Sequence, residues 1–346
     1  MNKQNLQNPQ QQPAGTASLG WPRSPGFRAT EMALPVLGRS FHLRILITGV
    51  RGFIGSALAY AAHAQGHEVI GVDQSTIGRT LPSGVEVIDG DITRLAAWRG
   101  VFERIDVVVH AAAIHHTDKI AEGPIRSIEV NLRGTRLMLA TAAASSVAHF
   151  INLSSAKVYG EPLAFPSSEE DLLNPVEPYG LAKAMGEEYC KYYASRSNMR
   201  CVSIRPFSVY GPGQDLSTGY IGQLIDGWLS HRPVALPGKP DFLRDFVHVN
   251  DVVDICFAAA RGDHSHDVIN AGSGRSASLR DLISEFAMLC GTSIDVTYSA
   301  AKPGTIKRTL ADVGRELPLL GHPPTPLRAG LLETIEWFGH ARSDVA

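Results

Sequence analysis

Residues Leu43 to Ala62 constrain this chain more than any other stretch. Leu43-Arg44-Ile45-Leu46-Ile47-Thr48 is short, β-branched and apolar enough to be a strand buried on both faces. Gly49-Val50-Arg51-Gly52-Phe53-Ile54-Gly55 follows at once, and Ser56-Ala57-Leu58-Ala59-Tyr60-Ala61-Ala62 then reads as a helix. Glycines let a backbone come close to a phosphate, and a helix N-terminus offers unpaired N–H groups at the positive end of its dipole. The spacing is Gly-x-x-Gly-x-x-Gly rather than the tighter Gly-x-Gly-x-x-Gly, and a strand-to-helix turn without a ligand would look the same.

The next strand, Glu68-Val69-Ile70-Gly71-Val72, separates those readings because it ends in Asp73, about twenty residues beyond the glycines, where a carboxylate can accept hydrogen bonds from an adenosine ribose. Asp73 favours NAD, since it would repel a 2′-phosphate. Arg51, inside the turn, could pair with that phosphate and keeps NADP open. Further short apolar strands, Val85–Ile88, Asp106–His110, Phe150–Leu153 and Arg200–Ile204, alternate with helical stretches. That alternation predicts an α/β fold, a Rossmann-type doubly wound parallel sheet with ligands at the carboxyl ends of its strands. After about Gly211 the pattern becomes irregular and rich in Gly and Pro, which predicts a smaller, discontinuous C-terminal substrate lobe. A helix over 251–260 and a strand over 267–270 return to the main sheet. The expected division is a disordered extension over 1–40, a dinucleotide-binding domain over 41–210 rejoined by 248–272, and a substrate lobe over 211–247 and 273–340.

Tyr179 and Lys183 stand one helical turn apart, so both side chains leave one face of a helix. A phenol is a poor acid or base at neutral pH, and a nearby ammonium lowers its pKa by favouring the phenolate. Ser155 can hydrogen-bond the substrate oxygen whose proton the tyrosine exchanges. A helix with a half-buried Tyr and a solvated Lys would carry the same pair for no chemical reason, so the context decides.

With these residues assembled, the chain resembles the extended short-chain dehydrogenases/reductases, and among them the NAD-dependent nucleotide-sugar epimerases and dehydratases of the UDP-galactose 4-epimerase type. The resemblance spans roughly 43–338. It rests on the glycine turn, Asp91-Ile92, His110-Ala111-Ala112-Ala113, Asn131-Leu132-Arg133-Gly134-Thr135, the segment 153–160 around Ser155, the Tyr179/Lys183 pair, Arg205–Gly213 and Arg244–Asp251, in that order. It implies that Tyr179 takes a proton from a sugar hydroxyl, that Lys183 lowers its pKa and holds the nicotinamide ribose, and that Ser155 bonds the reacting oxygen. A hydride passes to NAD, the resulting keto sugar turns over, and the hydride returns on the other face. By the same analogy the cofactor is held by Gly49, Gly52, Phe53, Ile54, Gly55, Asp73, Asp91, Ile92, Ala111, Ala112, Ala113, His115, Asn131, Tyr179, Lys183 and Phe207. Ser155, Ser208 and Arg244 face the nucleotide sugar. The plainer alternatives are a solvated turn for Asp91, a polar residue serving only the backbone for Asn131, a salt bridge for Arg244, and a polar loop for His115 and His116.

Departures from the family pattern narrow the reaction. Dehydratases place Asp and Glu after the catalytic Ser/Thr, and decarboxylating relatives keep a glutamate at the second place; here Ala156 and Lys157 stand there. Asp215 occupies a place where uronate epimerases tend to carry arginine, which favours a neutral or amino sugar. Ser208 and Lys302 replace the Asn and Arg frequent in hexose epimerases. The leading expectation is a 4-epimerase with tightly held NAD. An NAD(P)H-dependent 4-ketoreductase is the alternative, and a non-catalytic dinucleotide sensor a third.

The 346 residues carry a net charge of −2, which suggests no nucleic-acid surface. Cys190, Cys201, Cys256 and Cys290 are scattered without a Cys-x-x-Cys pair, so neither a metal site nor a disulfide framework is expected. No long apolar run predicts a membrane span, and a cytoplasmic setting is expected. The Gln-, Asn- and Pro-rich first forty residues lack the apolar core of a secretory signal. The family resemblance implies a homodimer through helices near 125–144 and 179–195.

Overall fold

The computed structural model describes residues 42–75, 78–115, 120, 123–261, 267–301 and 305–343. The extension over 1–40, His116 and Lys302 lie outside the described residues. The strands are β1 (Arg44–Thr48), β2 (Glu68–Asp73), β3 (Glu86–Asp89), β4 (Val107–His110), β5 (His149–Leu153), β6 (Arg200–Pro206), β7 (Ser208–Tyr210), β8 (Val234–Pro237), β9 (Leu243–His248), β10 (Val268–Ala271), β11 (Ser276–Ser278) and β12 (Val296–Ser299). The helices are α1 (Phe53–Ala64), α2 (Pro124–Ile128), α3 (Thr135–Ala144), α4 (Pro178–Ala194), α5 (Gly219–Ser230), α6 (Val249–Arg261), α7 (Leu279–Cys290), α8 (Leu317–Leu320) and α9 (Leu327–Ser343). A π-helical turn, Glu129–Gly134, joins α2 to α3.

Seven parallel strands form one sheet in the order β3-β2-β1-β4-β5-β6-β10. The order reverses between β1 and β4, the kind of switch point at which doubly wound sheets take ligands at the carboxyl ends of their strands. The runs Ile45–Ile47 of β1 and Val107–Val109 of β4 are continuously apolar because helices cover both faces of this sheet. Ile45, Ile47, Val107 and Val109 point to one side, against α1 and α6, while Leu46 and Val108 point to the other, against Met138 and Leu139 of α3.

The smaller lobe has its own core, including Leu224, Leu236, Phe286, Leu331 and Phe338, around the sheet β11-β9-β7 and the pair β12-β8. Its boundary with the main sheet differs from the expectation at two places. β7 already belongs to the small sheet, paired with Phe246–His248, so the chain crosses between the halves at Phe207. Leu319 and Leu320 pack into the main core beside α6 rather than into the lobe. The first helix also begins at Phe53, three residues before the expected Ser56, because extended Gly52 (φ −75°, ψ 175°) caps it directly.

Candidate active site

The glycine turn is built by backbone contacts that a side chain would block. Gly49 has φ +68°, and a Cβ there would lie 2.8 Å from the Ala112 backbone. A Cβ on Gly55 would lie 2.1 Å from the Gly49 carbonyl oxygen, so α1 begins flush against the turn. Gly52 donates to that same carbonyl at 2.9 Å. The N-terminus of α1 has no side-chain cap and no acidic residue in its first turn, which leaves the N–H groups near Phe53 and Ile54 suited to an anion. Three close-packed glycines, an uncapped helix start and an acid at the next strand end fit a dinucleotide.

That acid is tied to the turn. Asp73 Oδ2 accepts from the Arg51 amide at 2.9 Å and Oδ1 from the Ser75 amide at 3.0 Å, which fixes the carboxylate at the turn. The Arg51 guanidinium donates to the Arg79 carbonyl at 3.4 Å. Arg79 itself was not anticipated. Its guanidinium sits 5.6 Å above the Phe53 ring and against Gly213, where a Cβ would come 2.1 Å from Nη1. Burial lowers its pKa to about 10, against the opposing pull of Asp215.

Several residues expected to line the cofactor are already engaged. Asp91 accepts from the Thr93 amide and hydroxyl, both at 2.7 Å, and pairs with Arg126 Nη2 at 2.9 Å. Burial would raise this carboxyl, but Thr93 and Arg126 outweigh it and hold the group below its usual range. Asp91 is therefore not a solvated turn residue, and Arg126 has a claim on it before any adenine does. The Ile92 side chain is buried in the core beneath Gly134, so only its backbone can meet a ligand. Asn131 Oδ1 accepts from the Ile114 amide and its Nδ2 donates to the Ile114 carbonyl, both at 2.8 Å, and to Ser127 Oγ at 3.2 Å, so both N–H groups are engaged within the protein and one lone pair of Oδ1 remains. These bonds fix the segment that carries Ala111, Ala112, Ala113 and exposed His115.

His110, fully buried, supports the same segment. Thr135 donates its hydroxyl to the Asn131 carbonyl, so it must accept from His110 Nε2 at 3.0 Å. Nδ1 then accepts from Thr48 at 2.8 Å, and Thr48 Oγ1 in turn accepts from the Ala112 amide at 3.2 Å. Burial, then Lys183, hold the ring neutral by lowering its pKa to about 3.

Tyr179 and Lys183 lie in the first turns of α4, which packs on the turn after β5 that carries Ser155. Of two adjacent serines, Ser154 is buried and donates to Glu187 at 2.5 Å. Ser155 stays half-exposed, accepting only the Lys157 amide at 3.2 Å, so its own proton is available. α4 starts at Pro178, and its first turn meets this loop because position 180 is glycine: a Cβ there would lie 2.5 Å from the Lys157 carbonyl oxygen. Lys183 Nζ lies 5.6 Å from the Tyr179 ring centroid.

The expected effect of Lys183 on Tyr179 is not what the folded chain shows. Burial, and then the charge of Glu177, push the phenol well above its ordinary range. Burial also brings Lys183 down to about 8, and its Nζ donates to the Leu153 carbonyl at 2.6 Å. A desolvated ammonium whose proton is committed to a β5 carbonyl does not offset burial of the phenol. Ionising Tyr179 needs further positive charge.

A second network, invisible in the motifs, fixes α4. Glu187 and Arg205 form a buried two-point ion pair at 2.6 and 3.0 Å. Arg205 also donates to Tyr159 at 2.9 Å, and Tyr159 donates to Asn270 at 2.6 Å, joining α4, β6 and β10. Ser208 and Phe207 stand where the chain crosses into the lobe, half-buried. Among the described residues Arg244 makes no salt bridge. It donates to the carbonyls of Leu243, Lys307 and Ile306 and to the Tyr220 hydroxyl, so it braces the segment near 306, and a diphosphate would have to compete for those donors. All four cysteines are free.

A family model described as the NAD dependent epimerase/dehydratase family matches residues 45–272. The UDP-glucose 4-epimerase of Mycolicibacterium smegmatis is 31% identical over 312 residues, covering 86% of this chain and 98% of that protein. The solved structure of MoeE5 in complex with UDP-glucose and NAD is 32% identical with a TM-score of 0.80, covering 88% of this chain and 100% of that one. The UDP-glucuronic acid 4-epimerase from Bacillus cereus, in complex with UDP-glucuronic acid and NAD, is 29% identical with a TM-score of 0.77, covering 86% of this chain and 99% of that one.

Proposed function

The chain belongs to the NAD-dependent epimerase/dehydratase family, and from that premise we propose that it is an NAD-dependent nucleotide-sugar 4-epimerase working through a transient 4-keto sugar. The observation that carries the reading is the packing of α4, with Tyr179 and Lys183 in its first turns, on the turn that holds Ser155, with Ala156 and Lys157 in place of the acids an elimination would need. Bound along Gly49–Gly55 and Asp73, NAD supplies a hydride acceptor that later becomes the donor, and a positive charge near the phenol. Tyr179 takes the proton of the sugar hydroxyl and returns it after the keto sugar has turned. Ser155 donates to the reacting oxygen throughout. Lys183, anchored on Leu153, holds the nicotinamide ribose and keeps Tyr179 in register. Asp73, bonded to the Arg51 amide, favours NAD over NADP, and Arg51 is occupied by the Arg79 carbonyl.

We read the substrate as a UDP-hexose. Asp215 stands where uronate epimerases tend to carry arginine, which favours a neutral or amino sugar over a uronate. Incubation of the pure holoenzyme with UDP-glucose, UDP-N-acetylglucosamine and UDP-glucuronic acid tests both points. The expected result is interconversion with the C4 epimer, with no net change in reduced-nicotinamide absorbance and with the uncharged sugars preferred. Stoichiometric NADPH consumption would reject the epimerase in favour of a ketoreductase.

The same reading includes a homodimer. α4 exposes Leu181, Met185 and Tyr192 along one face, and neighbouring α2 exposes Ile125 and Ile128. Such an apolar stripe on two adjacent helices suits a twofold helical interface. Sedimentation of the parent and of Leu181→Glu should give a dimer and a monomer respectively. No helix among the described residues is long and apolar enough to cross a membrane.

A further inference from the structure

The loop that carries Ser155 also brings a second ammonium to Tyr179. Lys157 Nζ lies 5.7 Å from the ring centroid, matching Lys183 at 5.6 Å. Its charge is met by Glu177, with Nζ 2.5 Å from Oε1. Glu177 is the N-cap residue of α4, and its side chain makes no capping hydrogen bond. A carboxylate there is favourable to the helix dipole alone. Two residues from Tyr179, however, the same negative charge opposes ionisation of the phenol, and it contributes to the upward push described above.

The pair is held by backbone rather than by chance contact of two flexible side chains. The Lys157 amide donates to Ser155 Oγ, and the Lys157 carbonyl oxygen lies in the space that a side chain at position 180 would occupy. Both side chains are partly shielded, at 40% exposure for Lys157 and 25% for Glu177. The charged groups facing Tyr179 among the described residues are Lys183 and Glu177 from α4 and Lys157 from the turn after β5. Glu187, one turn beyond Lys183, is already neutralised by Arg205.

We propose that Lys157 and Glu177 form a charge-balancing pair that sets the pH at which Tyr179 exchanges its proton, Lys157 cancelling the field of the carboxylate at the start of α4. Lys183 and the cofactor then supply the net positive charge that the phenolate requires. Lys157 and Glu177 are positioning residues, and the inference rests on Tyr179 being the proton-exchanging group.

The test titrates the Tyr179 phenol in the NAD-loaded protein by its tyrosinate absorbance, with the Tyr179→Phe protein subtracted to isolate that one group. Removing a unit charge about 6 Å away across a partly solvated gap shifts a pKa by about one unit, or about tenfold in phenolate at a given pH on the acid limb. Lys157→Met should move the titration up by about that amount, Glu177→Gln should move it down, and Lys157→Met with Glu177→Gln should return it close to the parent. Lys157→Arg should leave it near the parent, which separates the charge from the packing of the loop. The acid limb of kcat/KM for a turned-over UDP-hexose should follow the same order. A titration unmoved by Lys157→Met, or a double variant displaced as far as a single one, would overturn the proposal. If no nucleotide sugar is turned over, the epimerase reading fails while the absorbance titration still decides this one.

Discussion

Gly180→Ala separates stability from turnover in a way that only the geometry of this site anticipates. Position 180 lies in the first turn of α4, where alanine is favoured over glycine by about 1 kcal/mol of helix propensity. On that ground alone the variant should be slightly more stable. The new Cβ, however, would lie 2.5 Å from the Lys157 carbonyl oxygen, 3.1 Å from its carbon and 3.2 Å from Pro175 Cβ. Two of these atoms are backbone, so no rotamer change relieves the contact, and the Ser155 loop must move away from α4 by most of an ångström. Such a displacement between Ser155 and Tyr179 costs on the order of a hundredfold in rate, or about 2.7 kcal/mol of transition-state stabilisation. The gain in propensity and the strain of the shifted loop roughly cancel, so global stability should change by less than about 1 kcal/mol. The assay pairs urea unfolding of the holoenzyme with kcat for UDP-hexose epimerisation. A kcat within about twofold of the parent would show that the loop and helix do not need this contact distance, and the account of the site would be wrong.

Three further outcomes follow from the same structure. Asn131→Leu removes both bonds to the Ile114 peptide, so the variant should lose roughly 2–4 kcal/mol in chemical unfolding and bind NAD more weakly by titration calorimetry. Glu187→Gln leaves Arg205 buried without its counter-charge and should cost about 3–5 kcal/mol, whereas the double variant with Arg205→Met should recover part of that loss; simple additivity of the two single effects would contradict the pairing. Glu316 is fully buried, with Oε2 bonded to the Gly272 amide, and burial raises its pKa from 4.5 to about 9. The folded chain keeps this proton where the unfolded chain has lost it, so its contribution to stability falls as pH rises across that window. The thermal midpoint of Glu316→Gln should accordingly depend less on pH between about 6 and 9 than that of the parent.

Much of this protein was legible in the chain because its signals are local. The glycine turn, the acid at the end of β2, the apolar strands alternating with helices and the one-turn spacing of Tyr179 and Lys183 each record a requirement met within a few residues. Burial on both faces writes continuous apolar strands, and a phosphate-binding turn excludes side chains wherever its own backbone closes. What the tertiary structure alone decided concerns partners brought together from distant segments. Asn131 spends its amide on Ile114, Asp91 is claimed by Arg126, and Arg244 braces carbonyls near 306 instead of meeting a carboxylate. Glu177, Lys157 and Lys183 meet around one phenol only because α4 packs against the turn after β5. A hydrogen-bonding group carries no mark in the sequence of which partner will satisfy it, and a pKa depends on charges and burial that exist only once the sheet has gathered those segments at its carboxyl edge.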